Sequence, residues 1–218
     1  MEAASHVPHA APMRLPATVA LAVVALLPVG DTRGAAQAPA QRPHTSIEAL
    51  LPSWRQRVEW ALDRFAAAGL PLPPMDVTVH RHTRPCDGNS GLYRHGPPVE
   101  VHICSMGDAD TRAARLITLH ELAHAWAETY LEPSQRERFL DLRGLQMWVD
   151  ATRPTHEWGA EHAAEVVSWG LMDAEVELIR IHDADSSALS TAFELLVKRD
   201  PLWEGVPRVG LEPTPYGV

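Results

Sequence analysis

Leu116–Trp126 reads LITLHELAHAW and contains the pattern H-E-x-x-H: His120, Glu121, Leu122, Ala123, His124. Apolar Leu116, Leu119, Ala123, Trp126 and Tyr130 recur at helical spacing around it, and the two histidines sit at the edge of that apolar side. On a helix, positions four apart lie one turn apart on the same face. Two imidazoles so placed reach a single ion at about 2 Å each. Glu121 is rotated by about 100° from His120. It stands beside such an ion without ligating it, where a base can take a proton from water. The competing reading is a surface helix with two solvated histidines.

A catalytic zinc site takes three protein ligands and leaves a position open. The segment EWGAEHAAEVV, 157–167, supplies candidates in Glu157, Glu161 and Glu165, spaced four apart along one helical face. Gly159, Ala160, Ala163 and Ala164 are small enough for this helix to approach another closely, as two helices sharing an ion must. A solvated acidic face is the alternative. Lysine and arginine are absent from 154–179, so the glutamates are expected to have no i,i+4 salt-bridge partners. A metal is then the cation that fits them.

HExxH followed by an E-x-x-x-[DE] helix resembles the gluzincin metallopeptidases of the zincin fold, on His120, Glu121, His124, Glu161 and Glu165. HELAHAW with GAEHAAEVVSWGL also resembles small secreted bacterial proteins of metallopeptidase type. The resemblance covers about 105–173 and the strand before it. It implies a zincin-like fold and one Zn2+ held by His120, His124 and Glu161, with Glu121 as general base. Glu165 would hold His120 through its other ring nitrogen. The second motif ends in glutamate where the best-known gluzincins have aspartate, so Glu165 as the ligand with Glu161 beside it stays open. The metzincin pattern HExxHxxGxxH fails at Ala127 and Tyr130. In zincins a strand at the cleft edge pairs with an extended substrate, and VEVHIC is the candidate here. His156, His162, Tyr130 and His182 are candidate oxyanion donors, none singled out by spacing.

The rest of the chain frames this motif. Ile47–Ala68 reads as a helix, with Ile47, Leu50, Leu51, Trp54, Val58, Ala61, Leu62 and Phe65 as its apolar face and Gly69 as its stop. MDVTVHRHT and VEVHIC alternate as strands, and CDGNSGLYRHGPP between them is turn-rich. The motif helix is expected to be capped by Asp108 or Asp110 and ended by Pro133. Further helices are expected at about Ser134–Leu145, from near Thr155 through EWGAEHAAEVVSWGLMD, and over SALSTAFELLV. The fold class is therefore α+β, mostly helical, with a small sheet preceding the HExxH helix.

Arg14, the apolar run Leu15–Gly30 and the A-x-A pattern at Ala36–Ala38 form a secretory signal, or a retained anchor, over 1–38. A linker is expected over 39–46, a zincin-like domain over 47–200 and an irregular tail over 201–218. Export makes a disulfide the natural state of Cys86 and Cys104, the two cysteines of the chain. The net charge of -9 and the lack of a basic cluster argue against nucleic acid as a partner. No stable membrane association is expected unless the N-terminal segment is retained.

The functional expectation is a secreted, extracytoplasmic bacterial zinc peptidase acting on a peptide or protein. Histidine and carboxylate ligands favour zinc over magnesium or calcium, with manganese or iron left open. The alternatives are a zincin-like metal-binding domain that binds a partner without general protease activity, and a helical binding domain with no metal.

Overall fold

Alternation of apolar and polar residues produces a sheet with one buried face. Met75, Val77 and Val79 of β2 (Met75–His80) and Val99, Val101 and Ile103 of β4 (Val99–Cys104) all point into the core. The structure is a computed structural model describing residues 44–104, 107–150, 152–177 and 180–203. The expected signal or anchor over 1–38 lies outside the described residues, as do most of the linker and residues 204–218 of the tail.

Two further strands complete the sheet in the order β1-β2-β4-β3. β1 (Thr45–Ala49) and β4 both run parallel to β2, while β3 (Gly91–Arg94) pairs antiparallel with β4. Both were unexpected. Thr45–Ala49 falls in the stretch read as linker and helix. Its residues alternate half-buried and exposed, and Pro52, whose fixed φ suits a first helical position, delays the helix to α1 (Pro52–Ala67). In α1, Trp54, Val58, Ala61 and Phe65 are buried, and Gly69 follows the helix at φ +69°, a conformation that favours glycine. β3 lies inside the turn-rich segment. Four residues are too few to show a period, and its partner strand supplies the order.

VEVHIC is therefore not an edge. β4 lies between β2 and β3, and the strand at the sheet edge beside the motif helix is β3. The Cys86–Cys104 disulfide forms, joining the short 3-10 turn Arg84–Cys86 to the end of β4.

The motif helix α2 (Arg112–Tyr130) is central: every residue from Thr118 to Ala127 is buried. Its cap is Thr111, whose hydroxyl accepts the Ala114 N–H at 3.1 Å. Asp108 instead holds the turn ahead of it, accepting the Asp110 N–H, and Asp110 pairs with Arg57 at 2.7 Å. Pro133 does not end α2 but begins α3 (Pro133–Arg143), where Glu132 and Gln135 form a capping box.

α4 (Gly159–Leu171) starts later than expected, because Thr155–Glu157 forms a separate 3-10 turn. It packs along α2, and Gly159, Ala160, Ala163 and Ala164 are all buried. A Cβ at Gly170 would overlap the Phe193 ring of α5 (Ser186–Val197), so that glycine sets how closely α5 approaches α4. Leu202 and Trp203, read as the start of the irregular tail, are docked. The Leu202 N–H reaches the Gly170 carbonyl at 2.8 Å, and Trp203 packs edge-on against Trp169. Among the described residues, no helix is long and apolar enough to cross a membrane.

Candidate metal centre

α2 presents His120 and His124 one turn apart, with Nε2 atoms 3.1 Å from each other. α4 presents the Glu161 carboxylate to both, with Oε2 at 3.3 Å from His120 Nε2 and Oε1 at 3.5 Å from His124 Nε2. A tetrahedral ion with bonds of about 2.0–2.1 Å has ligand–ligand edges of about 3.3–3.4 Å. The three donors thus stand at the corners such an ion requires. Among the described residues they form the one group of three histidine, cysteine or carboxylate side chains able to hold a metal.

A second observation concerns His120 Nδ1, which is buried and makes no hydrogen bond. The nearest acid is Glu165, with Oε1 at 3.6 Å, longer than a hydrogen bond. With Nε2 turned to an ion, the proton of the neutral ring sits on Nδ1 and faces this carboxylate, the usual outer arrangement of a ligating histidine. Of the two glutamates, Glu161 belongs to the donor triangle, and Glu165 lies behind His120 on the opposite ring nitrogen.

The site is closed in and acidic. His120 and Glu121 are each 5 % exposed and His124 is 9 % exposed. Burial opposes a charge on His120, but the hydrogen bond to Glu161 and the carboxylates of Glu121, Glu165 and Glu161 outweigh it and raise its pKa to about 9. For Glu161, burial acts upward, but hydrogen bonds from the two imidazoles win and hold it well below the ordinary carboxylate range. Glu121 shifts the other way: burial raises its pKa against the opposing pull of His120 and His124. Its carboxylate lies against Gly91 of β3 so closely that a Cβ there would overlap it.

The two helices that carry the donors are tied together just outside the site. Glu128, one turn after His124, accepts the Trp148 indole N–H at 2.5 Å and Arg136 at 3.2 Å. The carbonyls of Met147 and Trp148 accept the first N–H groups of α4, from Gly159 and Ala160, at 3.0 Å each. α4 has no side-chain cap, so this loop satisfies backbone donors that would otherwise be orphaned immediately before Glu161. Arg136 also closes the end of α2 through the carbonyls of Ala127, Glu128 and Leu131, and lies over the Trp148 ring. Tyr93 of β3 stacks on His124, with centroids 6.1 Å apart.

Several expectations are corrected here. The glutamates of 157–165 do have cations, supplied from just outside the segment. Arg153 pairs with Glu157 at 3.2 Å, four residues on, and Arg180 lies 3.9 Å from Glu165. Glu161 pairs with both histidines, whereas Glu165 faces His120 and Arg180. The four candidate oxyanion donors are engaged elsewhere or point outward. His162 is fully buried and donates to the His156 carbonyl at 3.0 Å. Its pKa falls to about 4 because burial outweighs that bond. His182 pairs with Asp183 at 3.0 Å, and Tyr130 is an exposed residue at the end of α2. Gly91, Tyr93, Glu128 and the cap role of Trp148 were not foreseen. Only the small residue ahead of a tyrosine in GLYR hinted at a close approach.

A scan against protein-family models, a search of curated proteins and a search of solved structures each found no match to this chain.

Proposed function

We propose that this chain is a secreted zinc-dependent peptidase of zincin, gluzincin-like type. The observation that carries the reading is the His120–His124–Glu161 triangle, with a buried carboxylate, Glu121, on the same helix. Two imidazoles and one carboxylate suit zinc better than magnesium or calcium, and manganese or iron would also be accepted chemically. Bound there, zinc supplies Lewis acidity towards a scissile carbonyl and towards water.

The chain's own residues do the rest. His120, His124 and Glu161 would hold the ion. Glu121 takes a proton from the attacking water at its carboxylate and later releases it to the leaving amine. Its raised pKa brings it nearer the range in which a carboxylate both accepts and returns a proton. Glu165 orients His120 through Nδ1. β3, the edge strand against Glu121, offers free backbone groups to an extended peptide, replacing VEVHIC in that role.

A second reading is a metal-binding domain that recognises one partner and has no general protease activity. The deep burial of the two histidines favours it, since little of the site is open to a broad range of substrates. The test is a pair of measurements on the full chain, zinc content and cleavage of a peptide library, for wild type and Glu121→Gln. Cleavage lost with zinc retained supports the enzyme. Zinc bound by both proteins, with no cleavage by either, supports the partner-binding domain.

A further inference from the structure

The sheet carries a histidine pair of its own. On the face away from the core, His80 at the end of β2 and His102 of β4 stand diagonally across adjacent strands. His80 Nε2 and His102 Nδ1 are 3.1 Å apart, and the rings are stacked with centroids at 5.3 Å. The other nitrogen of His102, Nε2, faces Glu100 Oε2 at 3.4 Å. Glu100 is itself within 3.9 Å of Arg94.

A carboxylate behind an imidazole fixes its tautomer. With its proton on Nε2, towards Glu100, His102 keeps a lone pair on Nδ1. His80 Nε2 then carries the proton that lies between the two rings. If His80 moves that proton to its own Nδ1, both facing nitrogens become lone-pair donors, with no net proton lost. Two nitrogens 3.1 Å apart, each bonded at about 2.0–2.1 Å, subtend about 100° at an ion, which tetrahedral zinc accepts. Glu48 and His82, both exposed, are close enough to influence His80 electrostatically. His80 is half-buried and not enclosed.

We propose that His80 and His102 form a second, weaker zinc site on the open face of the sheet, with Glu100 orienting His102 from behind. It is independent of the reading of the buried centre. The test is native mass spectrometry of the full chain titrated with zinc alone. Three proteins are compared: wild type, the double variant His80→Asn with His102→Asn, and Glu161→Ala. Wild type is expected to take two ions, the second at least about tenfold more weakly, because the pair presents fewer protein ligands and even outer partners weigh that much. The double variant should lose only the weaker ion, and Glu161→Ala only the tighter. A wild type that takes a single ion, or a double variant that still takes two, overturns the second site. If the double variant misfolds, single His102→Gln decides the matter: loss of the weaker ion supports the site and its retention overturns it. Loss of the tighter ion alone in every protein would count against the buried centre and not against this one.

Discussion

Two pairs of histidines in this protein bring ring nitrogens to the same separation, 3.1 Å, by different routes. His120 and His124 do it on one helix, and His80 and His102 do it across two strands. The pairs differ in what surrounds them. The helical pair is buried, faces a carboxylate from α4 and has another behind it. The sheet pair is half-buried and has only the part-exposed Glu100 behind it. Nitrogen spacing alone therefore does not distinguish the two sites. At the buried pair a third donor from a separate element and a buried carboxylate, Glu121 on the same helix, stand beside the imidazoles.

The largest effect that separates the pairs is expected at the base. Glu121→Gln should lower peptide cleavage by about 10^3-fold while leaving zinc content unchanged, since general-base contributions run about 10^2–10^4-fold. No substitution at His80 or His102 should lower cleavage comparably in the same steady-state assay. Gly91→Ala comes next. Its methyl group would overlap the Glu121 carboxylate, and displacing a reacting group by about 1 Å costs about 10^2-fold. Retained zinc with weakened cleavage, by single-turnover kinetics, would confirm that β3 positions the base.

Glu165→Ala should weaken zinc binding at the buried centre by about 10–100-fold in chelator competition, the usual loss of an outer partner. Glu100→Ala tests the same logic at the open pair.

Acidity sharpens the contrast further. His120, with a pKa near 9 in the folded metal-free protein, must lose one proton to ligate. Zinc affinity at the buried centre should then fall by about tenfold per pH unit below about 9, as measured by competition between pH 6 and 8.5. The open pair should not follow that slope, because the His80 pKa is shifted down. The same raised pKa has a consequence for metal-free stability. A folded pKa above the unfolded value stabilises fully below about 6.5, and that contribution is lost as pH rises through about 9. Glu161, shifted down, contributes the opposite way, with stability present above its unfolded pKa and lost as pH falls.

The smallest effect is expected at the tie between the helices. Trp148→Phe removes the indole donor to Glu128 and should cost about 1–2 kcal/mol in denaturant unfolding, allowing for Arg136 as a remaining partner.

The same contrast explains what was legible in the sequence. His120, Glu121 and His124 could be read because one helix sets their geometry by spacing alone, and Glu161 and Glu165 because they share a helix with small neighbours. β2 and β4 showed their period directly. His80 and His102 are 22 residues apart and meet only through the register of two strands. β3 was hidden because four residues in a glycine-rich turn carry no periodic signal, and Gly91 owes its role to a contact with another element. Thr45–Ala49 was split between the linker and α1 because Ile47, Leu50 and Leu51 continue the apolar spacing of the helix. Pro52 was the overlooked start signal. The apparent lack of cations for the glutamates failed for a related reason: Arg153 and Arg180 lie at the ends of the segment and fold back onto it.

The most direct test of the buried centre is metal analysis of the full chain, supplied with zinc and then freed of weakly held ions by gel filtration. Wild type is compared with Glu161→Ala. The account predicts one zinc per wild-type chain and near none in the variant. A wild type that retains no zinc, or a variant that retains as much as wild type, would contradict it.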